Sequence, residues 1–467
     1  MDNEFHTVIV GSGSGGLTVA VGLSKLGKKI AVVEKDHVGG DCTNVGCVPS
    51  KTLIHASEHV GGEMGLDPEE VLDWVRERRD DLRDEETEFV EELPNVTLIR
   101  GHARFVDPKR LEVTSRDGNI RVVSAQNIVL ATGTSPRRLQ LEGLPNTRLL
   151  TNENLFELKK APLHLAIVGG GVIGVEMAFA FRRLGCDVSV IDRGSRLLKV
   201  SEVEAGDLLA ERFVEEDIGL YLNSEVHRYD DNTEILHLKD GQRLHDVDRI
   251  LVAAGRVPNL DLDLFKAGVE FNERGIPTDG IGRTNQPHIF AIGDINGDSA
   301  FTHSANHQGR RLVRVLAFPF LPRPGRQPHY PSATFSDPEV AQVGPTLEEL
   351  QKLYHPELIC THLVPLSDTD RGYTMDVEHG FVKLNVMTLT GRLLSATVVA
   401  PAAGEMISLL TLSVNNGISV YKLADLVFPY PVLSDAIKKA ANDYVFSTLT
   451  GLHKELFRYL RYRLRSR

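Results

Sequence analysis

Two cysteines five residues apart are the side chains of this sequence best suited to redox chemistry. Cys42 and Cys47 lie in the segment Gly39–Lys51, GGDCTNVGCVPSK. In a regular helix, residues five apart have Cα atoms about 8 to 9 Å apart, beyond the roughly 7 Å limit for a disulfide. A bridge therefore needs a distorted backbone, which Gly46 and Pro49 permit, and we expect regular helix from about Pro49.

The surroundings of Cys42 and Cys47 favour a reactive thiolate, because a helix N-terminus and the cation of Lys51 both stabilise that charge. The alternatives are a structural thiol pair and half of a zinc site. Zinc needs two further ligands, and neither Cys186 nor Cys360 belongs to a CxxC or HxxxH arrangement. We expect a redox-active pair, two packed cysteines and no metal site.

The elements before the cysteines form a strand, a glycine turn and a helix. Strand Thr7–Val10 leads into GSGSGG, whose fingerprint glycines are Gly11, Gly13 and Gly16. The first permits a tight turn, the second lets a pyrophosphate approach the backbone, and the third lets the helix pack on the strand. A second strand, Ile30–Val33, ends at Glu34, where a carboxylate can accept hydrogen bonds from an adenosine ribose.

The same unit recurs further along the chain. Strand Leu165–Val168 leads into a second glycine turn, and strand Val188–Ile191 ends at Asp192. The glycines of this turn are Gly169, Gly171 and Gly174. Glu34 and Asp192 each lie eighteen residues beyond the last glycine of their turn, close to the spacing that ribose binding requires. The sequence therefore predicts two dinucleotide sites.

Three further strands end in glycine turns or acids at the sheet edge where such folds bind ligands. They are Ile128–Gly133, Ile250–Gly255 and His288–Asp294. We expect cofactor contacts at Thr132, Gly133, Gly255 and Asp294. The second unit interrupts the first, and we expect the chain to return to the first domain near residue 280.

The acid at the end of the second unit bears on the choice of nicotinamide cofactor. Asp192 would accept a hydrogen bond from a ribose 2′-hydroxyl and repel a 2′-phosphate, which favours NAD. Arg193 and Arg196 follow directly, and nearby arginines accommodate NADP in such sites. NADP therefore stays open as an alternative.

Composition bounds the remaining classes of function. A chain of 467 residues is long enough for about three domains. Its net charge of −12 gives no basic surface for nucleic acid, so we expect none as a partner. The first residues lack the pattern of a signal peptide, and no apolar stretch approaches the roughly 20 residues of a membrane span. We expect a cytoplasmic protein that acts on a small molecule.

From about residue 5 to residue 445 the sequence resembles the class I pyridine nucleotide-disulfide oxidoreductases. Gly39–Lys51 is similar to the redox-active disulfide motif of that family, including a cofactor contact at Gly40, and Cys47–Ser57 looks most like the lipoamide dehydrogenase version. Phe301–Ala305 resembles the flavin-contacting segment of lipoamide dehydrogenases. The resemblance implies contacts from Thr302 and His303 to FAD.

The resemblance also assigns roles to the redox residues. Cys47 would be the thiol next to the flavin, and Cys42 the interchange thiol that meets the substrate. Lys51 would lie near flavin N5 and pair with Glu176, where a cation stabilises negative charge on the reduced flavin. The alternative for Lys51 and Glu176 is an ordinary surface charge on each of two helices.

The sequence departs from the family near its C-terminus. The family implies a His and a Glu that reach the disulfide of a partner subunit, and here Tyr430 and Asp435 occupy those positions. The ordinary pKa of tyrosine is near 10, against roughly 6.5 for histidine, so Tyr430 is a poor proton shuttle at neutral pH. Mercuric reductases also carry tyrosine here, but they use a C-terminal cysteine pair that this chain lacks. A packed interface aromatic is the other reading of Tyr430.

We therefore expect an α/β fold with two Rossmann-like domains, for FAD and NAD(P), and a C-terminal α+β dimerisation domain that forms a homodimer. The expected parts are the FAD domain at 1–150 with a return segment at 280–328, the NAD(P) domain at 151–279, the interface domain at 329–445 and a tail at 446–467. The expected activity is hydride transfer from NAD(P)H through FAD to Cys42 and Cys47, then to a disulfide-type acceptor, as in dihydrolipoyl dehydrogenase. The alternatives are a mercuric-reductase-like metal reductase and a diaphorase or quinone reductase that works at the flavin.

The tail is a basic amphipathic stretch beyond the family core. Its leucines recur every four residues, with arginines between them: Leu452, Leu456, Leu460, Leu464, Arg458, Arg461, Arg463, Arg465 and Arg467. Such a helix could lie on an anionic membrane surface, although packing on its own protein is the more common use of such a stripe.

Overall fold

The computed structural model describes residues 3–61, 65–388 and 390–465. The strands are β1 (Glu4–Val10), β2 (Ile30–Glu34), β3 (Val96–Arg100), β4 (His102–Asp107), β5 (Arg110–Thr114), β6 (Ile120–Leu130), β7 (Thr134–Pro136), β8 (Leu149–Leu150), β9 (His164–Val168), β10 (Asp187–Ile191), β11 (Gly219–Tyr221), β12 (Val226–Asp230), β13 (Ile235–Leu238), β14 (Arg243–Leu244), β15 (Arg249–Val252), β16 (Arg256–Pro258), β17 (Ile289–Ala291), β18 (Ser332–Thr334), β19 (Glu339–Val343), β20 (Ile359–Pro365), β21 (Phe381–Met387) and β22 (Leu393–Ala400). The helices are α1 (Ser14–Ser24), α2 (Gly40–Asn44), α3 (Cys47–Ser57), α4 (Pro68–Glu92), α5 (Asn152–Leu155), α6 (Val172–Arg183), α7 (Val203–Glu215), α8 (Thr302–Ala317), α9 (Leu347–Leu353), α10 (Asp370–Thr374), α11 (Ala403–Asn416), α12 (Val420–Ala424) and α13 (Asp435–Arg465).

The first sheet has the strand order β3-β2-β1-β6-β5-β4, with β17 paired to β6. Its central strands β2, β1, β6 and β17 run parallel. The strands β2 and β17 and the C-terminal ends of β1 and β6 are buried on both faces, as their β-branched sequences require. Helices α1 and α8 pack together against it, through Leu23 and Leu312 among others. Strand β17 brings the chain back to this sheet after the second unit.

The second sheet is parallel, with the order β11-β10-β9-β15-β8. Helix α6 follows β9 and buries nearly every side chain from Gly174 to Phe181 against this sheet and its neighbours. A small antiparallel sheet, β12-β13-β14, closes the unit. A mixed sheet with a parallel centre and a second, parallel sheet, each with crossover helices, confirm the predicted α/β class.

The C-terminal part is an antiparallel sheet with the order β18-β19-β22-β21-β20. Helix α11 packs on β22 and β19, and α13 packs on β20 and β21. Segregated helices on an antiparallel sheet make an α+β domain, as predicted.

A buried ion cluster joins the second unit to the C-terminal sheet. The Lys383 side chain is 2% exposed, and its ammonium donates to Glu202 Oε2 at 3.0 Å and to both oxygens of Glu204 at 2.7 and 2.8 Å. The other oxygen of Glu202 accepts from Asn385 Nδ2 at 3.0 Å and from the Leu347 N–H at 2.8 Å. Every polar atom of Glu202 is thus satisfied in a site where an unpaired charge would be costly.

The tail continues helix α13 without a break, because Gly451 in mid-helix is tolerated there. The helix contacts its own chain, with the Tyr462 ring 5.2 Å from that of His355. The leucines at positions 456, 460 and 464 are exposed: Leu456, Leu460 and Leu464. The structure does not describe the side chains of Leu452, Arg465 and Arg467. None of these contacts supports the membrane association considered for the tail. Among the described residues, every helix is too short or too polar to span a bilayer.

Candidate active site

The two glycine turns are nearly identical in their packing. A Cβ on Gly11 would lie 2.3 Å from the Ala131 carbonyl oxygen, and one on Gly16 would lie 2.0 Å from the Gly11 oxygen. The equivalent distances in the second turn are 2.5 Å for Gly169 and 1.9 Å for Gly174. The outer glycines of each turn are therefore fixed by backbone packing.

The middle glycine of each turn is open instead. A Cβ on Gly13 would find only the Gly40 Cα, at 3.9 Å, and one on Gly171 would find nothing within 4 Å. Each turn also precedes a helix, α1 or α6, whose first N–H groups face an approaching anion. An open backbone at a helix N-terminus fits a dinucleotide pyrophosphate at both places.

Glu34, the last residue of β2, and Asp192, which directly follows β10, are both held by backbone N–H groups. Glu34 Oε2 accepts from the N–H and the hydroxyl of Ser12, each at 2.8 Å, and Oε1 accepts from the Asp36 N–H at 2.8 Å. Asp192 accepts from the N–H groups of Gly170 at 2.6 Å and Gly194 at 2.5 Å. Each carboxylate is thus locked beside its glycine turn, the place where a ribose hydroxyl could reach it.

The other predicted cofactor residues lie along the same sheet edges. Thr132 donates its hydroxyl hydrogen to the Asn259 carbonyl at 3.0 Å, and Asp294 accepts from the Thr134 hydroxyl at 3.2 Å. Burial raises the pKa of Asp294, although the nearby guanidinium of Arg256 acts to lower it. Gly133 and Gly255 both have open space where a Cβ would project.

The cysteine segment lies against the first glycine turn. A Cβ on Gly40 would lie 2.7 Å from the Gly13 Cα, so the two segments touch through glycines. Cys42 lies in α2, which ends at Asn44, and Cys47 is the first residue of α3. The expected break between the cysteines is present, but regular helix begins at Cys47, two residues before the expected Pro49, because the non-helical Gly46 already caps it.

The two thiols differ in acidity. A hydrogen bond from Cys42 lowers the pKa of Cys47 to about 6, and the Thr302 hydroxyl, 3.4 Å from Cys47 Sγ, and the Lys51 cation act in the same direction. The same hydrogen bond, together with burial, raises the pKa of Cys42. At neutral pH the reduced pair therefore holds one thiolate, on Cys47, and one proton, on Cys42.

Lys51 and Glu176 form a direct ion pair. The ammonium donates to Glu176 Oε1 at 3.0 Å and Oε2 at 2.8 Å, and the carboxylate side chain is only 3% exposed. The alternative of two unrelated surface charges is therefore wrong. Because Lys51 lies one turn after Cys47 on α3, the pair puts a fixed cation close to the thiolate.

Thr302 and His303 begin helix α8, beside the cysteines. Thr302 contacts Cys47 through its hydroxyl, and its carbonyl accepts from Ser14. The exposed ring of His303 stacks on Phe301 at 5.3 Å and donates from Nε2 to the Pro331 carbonyl at 2.8 Å. Thr302 therefore touches the redox pair, whereas His303 faces the start of the C-terminal domain.

Among the described contacts, neither Tyr430 nor Asp435 touches Cys42 or Cys47 of its own chain. They line a hollow of about 420 Å³ in the C-terminal domain, together with Lys438. The Tyr430 hydroxyl donates to Asp370 Oδ2 at 2.7 Å, and this hydrogen bond raises the pKa of the phenol above its ordinary value. The ring is 74% exposed in the single chain, and the alternative that Tyr430 packs at a subunit interface stays a prediction.

The sequence alone does not predict one contact beside the redox pair, that of Arg256 with Asp41. The guanidinium of Arg256, on β16, donates to the Asp41 carboxylate, to the Thr134 carbonyl at 2.6 Å and to Asn152 Oδ1 at 3.2 Å. Asp41 directly precedes Cys42, so Arg256 joins the Cys42 segment to the second unit. The only local signal is that Arg256 follows the expected contact Gly255. Within the described part of the chain, no group of three or more His, Cys, Asp or Glu side chains is placed to hold a metal ion.

Comparison with known proteins gives the same family over most of the chain. Residues 5–309 match the family described as "Pyridine nucleotide-disulphide oxidoreductase", and residues 330–441 match its dimerisation domain. A dihydrolipoyl dehydrogenase of Mycoplasma pneumoniae is 30% identical over 464 residues, which cover 94% of this chain and 99% of that enzyme. A mercuric reductase of Acidithiobacillus ferrooxidans is 32% identical, over 94% of this chain and 83% of that enzyme.

Comparison with solved structures also gives a flavoprotein disulfide reductase. The Cu(II) complex of the HOCl-induced flavoprotein disulfide reductase RclA from Escherichia coli superposes with a TM-score of 0.86 at 27% identity, covering 94% of this chain and 99% of that one. The twin glycine turns, the cysteine pair and these matches lead to one conclusion. The chain belongs to the pyridine nucleotide-disulphide oxidoreductases, enzymes that use FAD and NAD(P)H, and it carries their dimerisation domain.

Proposed function

We propose that this enzyme passes electrons from NADH through FAD to the Cys42–Cys47 pair, and from the reduced pair to a disulfide-type acceptor, in the manner of a dihydrolipoyl dehydrogenase. The observation that carries the proposal is the position of Cys47. It begins helix α3, lies 3.4 Å from the Thr302 hydroxyl and is followed one turn later by the Lys51–Glu176 pair. The helix N-terminus, the Thr302 hydroxyl and the Lys51 ammonium each stabilise a thiolate.

FAD, when bound, supplies the two-electron link between the nicotinamide and the thiols. The residues proposed to hold FAD lie in the first glycine turn, beside it or along its sheet edge: Gly11, Gly13, Gly16, Glu34, Gly40, Thr132, Gly133, Asp294, Thr302 and His303. Those proposed for the nicotinamide cofactor are Gly169, Gly171, Gly174, Asp192 and Gly255. Lys51 holds a positive charge between the two sets.

The proposed chemistry at the sulfurs balances as a thiol–disulfide exchange. Cys42 attacks a sulfur of the acceptor disulfide, its proton passes to the first leaving thiol, and a mixed disulfide forms. The Cys47 thiolate then attacks Cys42, releases the second acceptor sulfur as a thiolate and closes the Cys42–Cys47 bond. The acceptor gains two electrons, and the cysteines lose two.

Tyr430 favours a second candidate acceptor, a thiophilic metal ion. In the disulfide reaction, the proton moves to the leaving thiol from Cys42, a thiol whose pKa is raised. Tyr430, which already donates to Asp370 and has a raised pKa, cannot relay this proton at neutral pH. A soft metal ion binds thiolates directly and displaces that proton to water without a side-chain base. The named relatives include both dihydrolipoyl dehydrogenases and mercuric reductases.

We also propose NADH over NADPH and a homodimer as the working unit. Both oxygens of Asp192 accept hydrogen bonds from backbone N–H groups, and a carboxylate held beside this glycine turn would repel a 2′-phosphate. Arg196 is engaged with the Lys199 carbonyl at 2.9 Å. A ratio of kcat/KM values above one for NADH over NADPH supports the first point, and sedimentation at twice the chain mass of 51.5 kDa supports the second.

The test is NADH oxidation by the purified holoenzyme with lipoamide, glutathione disulfide, mercuric ion, cupric ion and a quinone, for wild type, Cys42→Ser and Cys186→Ser. Cys186 is fully buried away from the site and serves as the matched control. We expect Cys42→Ser to abolish turnover of the disulfides or of the metal ions and to spare the quinone. Unchanged turnover of every acceptor in Cys42→Ser would leave only flavin-level diaphorase activity and would refute the proposal.

A further inference from the structure

Lys51 has a third neighbour besides the two oxygens of Glu176. Its Nζ lies 4.7 Å from the centroid of the Phe335 ring. An ammonium has three N–H bonds, and two of them are directed at the carboxylate. The remaining positive surface therefore faces an aromatic ring, a contact that is attractive because the ring face is negative.

Phe335 also holds the anion of the pair. Its backbone N–H donates to Glu176 Oε1 at 3.0 Å. A carboxylate that is 3% exposed needs such a donor, because water cannot supply one. One residue thus contacts both members of the ion pair, with its backbone on Glu176 and its ring on Lys51.

These three residues come from three different parts of the chain. Lys51 lies on α3 beside the cysteines, Glu176 on α6 of the second unit, and Phe335 directly after β18 of the C-terminal sheet. Phe335 is the point at which the C-terminal domain reaches the charges of the redox site. Without the ring, Lys51 would keep Glu176 as its partner. Its ammonium could then turn towards solvent, because the Lys51 side chain is 32% exposed.

We propose that Phe335 is a positioning residue, whose ring fixes the Lys51 ammonium beside Cys47 and so lets the C-terminal domain set the charge balance of the redox pair. The inference rests on the proposed function, because it concerns the thiolate that the function requires. It predicts that the aromatic face, and not merely the bulk of the side chain, governs how readily Cys47 ionises.

The test is a pH titration of the two-electron-reduced holoenzyme, followed by the long-wavelength absorbance of a thiolate next to flavin. Phe335→Leu removes the ring and keeps apolar bulk, and Phe335→Tyr keeps the ring. Phe381→Leu is the control for loosening of the same domain, since Phe381 is buried there and carries no cation over its ring among the described residues. We expect Phe335→Leu to move the midpoint up by about half a pH unit, as loss of a cation–π contact implies, and the other two variants to match wild type.

The outcomes separate this inference from the proposed function. A wild-type midpoint with no shift in Phe335→Leu, or an equal shift in Phe381→Leu, would overturn the positioning role and leave the function intact. Absence of the thiolate absorbance in wild type at every pH would overturn both. A shift in Phe335→Leu that Phe335→Tyr does not share supports the inference.

Discussion

The Lys51 ammonium donates to both carboxylate oxygens of Glu176, at 3.0 and 2.8 Å, and so joins the helix of the redox cysteines to the helix of the second glycine turn. The two charges act on Cys47 in opposite directions, since the cation lowers the pKa of the thiol and the carboxylate raises it. The net effect at the sulfur depends on both.

The first prediction concerns the pH dependence of the Cys47 thiolate. The thiolate is the deprotonated form, so a pKa lowered to about 6 means that it is present at pH 7 and lost as the pH falls through about 6. Lys51→Met should move this midpoint up, and Glu176→Gln should move it down. The thiolate absorbance of reduced holoenzyme measures both, with the exposed Lys160→Met as a control that should not move it. Shifts of the same sign in Lys51→Met and Glu176→Gln would contradict the assignment.

The second prediction concerns Tyr430. Because its hydroxyl donates to Asp370 and its pKa is raised, Tyr430→Phe should change kcat by less than about threefold at pH 7, far below the usual contribution of a general base. Tyr430→His supplies a base of suitable pKa and should raise lipoamide turnover by about tenfold or more. Steady-state assays between pH 6 and 8 decide the matter. A loss in Tyr430→Phe as deep as that in Cys42→Ser would show that the phenol itself is catalytic.

The third prediction separates the two kinds of glycine in the first turn. Gly16→Ala should prevent folding, because its Cβ would lie 2.0 Å from a carbonyl oxygen, whereas Gly13→Ala has room and should fold. The added methyl group in Gly13→Ala would occupy the approach to the backbone, so FAD affinity should fall at least tenfold, about 1.4 kcal/mol. Circular dichroism and fluorescence titration with FAD measure the two properties. Wild-type FAD affinity in Gly13→Ala would remove the pyrophosphate from this turn.

The fourth prediction concerns the buried cluster around Lys383. Lys383→Met leaves Glu202, 4% exposed, without its countercharge and should lower the free energy of unfolding by about 3 to 5 kcal/mol. Lys352→Met breaks an exposed pair with Glu348 at 2.8 Å and should cost less than about 0.5 kcal/mol. Urea unfolding of both variants gives the comparison. Equal losses would mean that burial does not decide the energy of these pairs.

Local spacing explains what the sequence could predict. Each nucleotide unit is a run of about thirty residues in which glycines, strands and a final acid follow one another, so its chemistry can be read along the chain. The cysteine pair belongs to the same class of short-range pattern. The start of α3 lies two residues before the predicted Pro49 because Gly46 ends the irregular backbone.

The parts of the site that the sequence does not predict are contacts between residues far apart in the chain. Phe335 meets Lys51 across more than 280 residues, Arg256 meets Asp41 across 215, and Asp370 meets Tyr430 across 60. No periodicity connects such residues, since only the folded arrangement of the sheets brings them together. The sequence predicts a separate tail because residues 446–467 extend beyond the family core, whereas the structure continues this stretch from α13 without a break.

Glu202 limits how this enzyme could be re-engineered. A chimera that exchanged the pyridine nucleotide unit for one of different coenzyme preference would import a foreign residue opposite Lys383, Asn385 and the Leu347 N–H. Unless the donor unit supplied a carboxylate at this position, the buried Lys383 would lose the countercharge of Glu202. Donor units for such exchanges should therefore be chosen for a glutamate at this position before they are chosen for their nucleotide specificity.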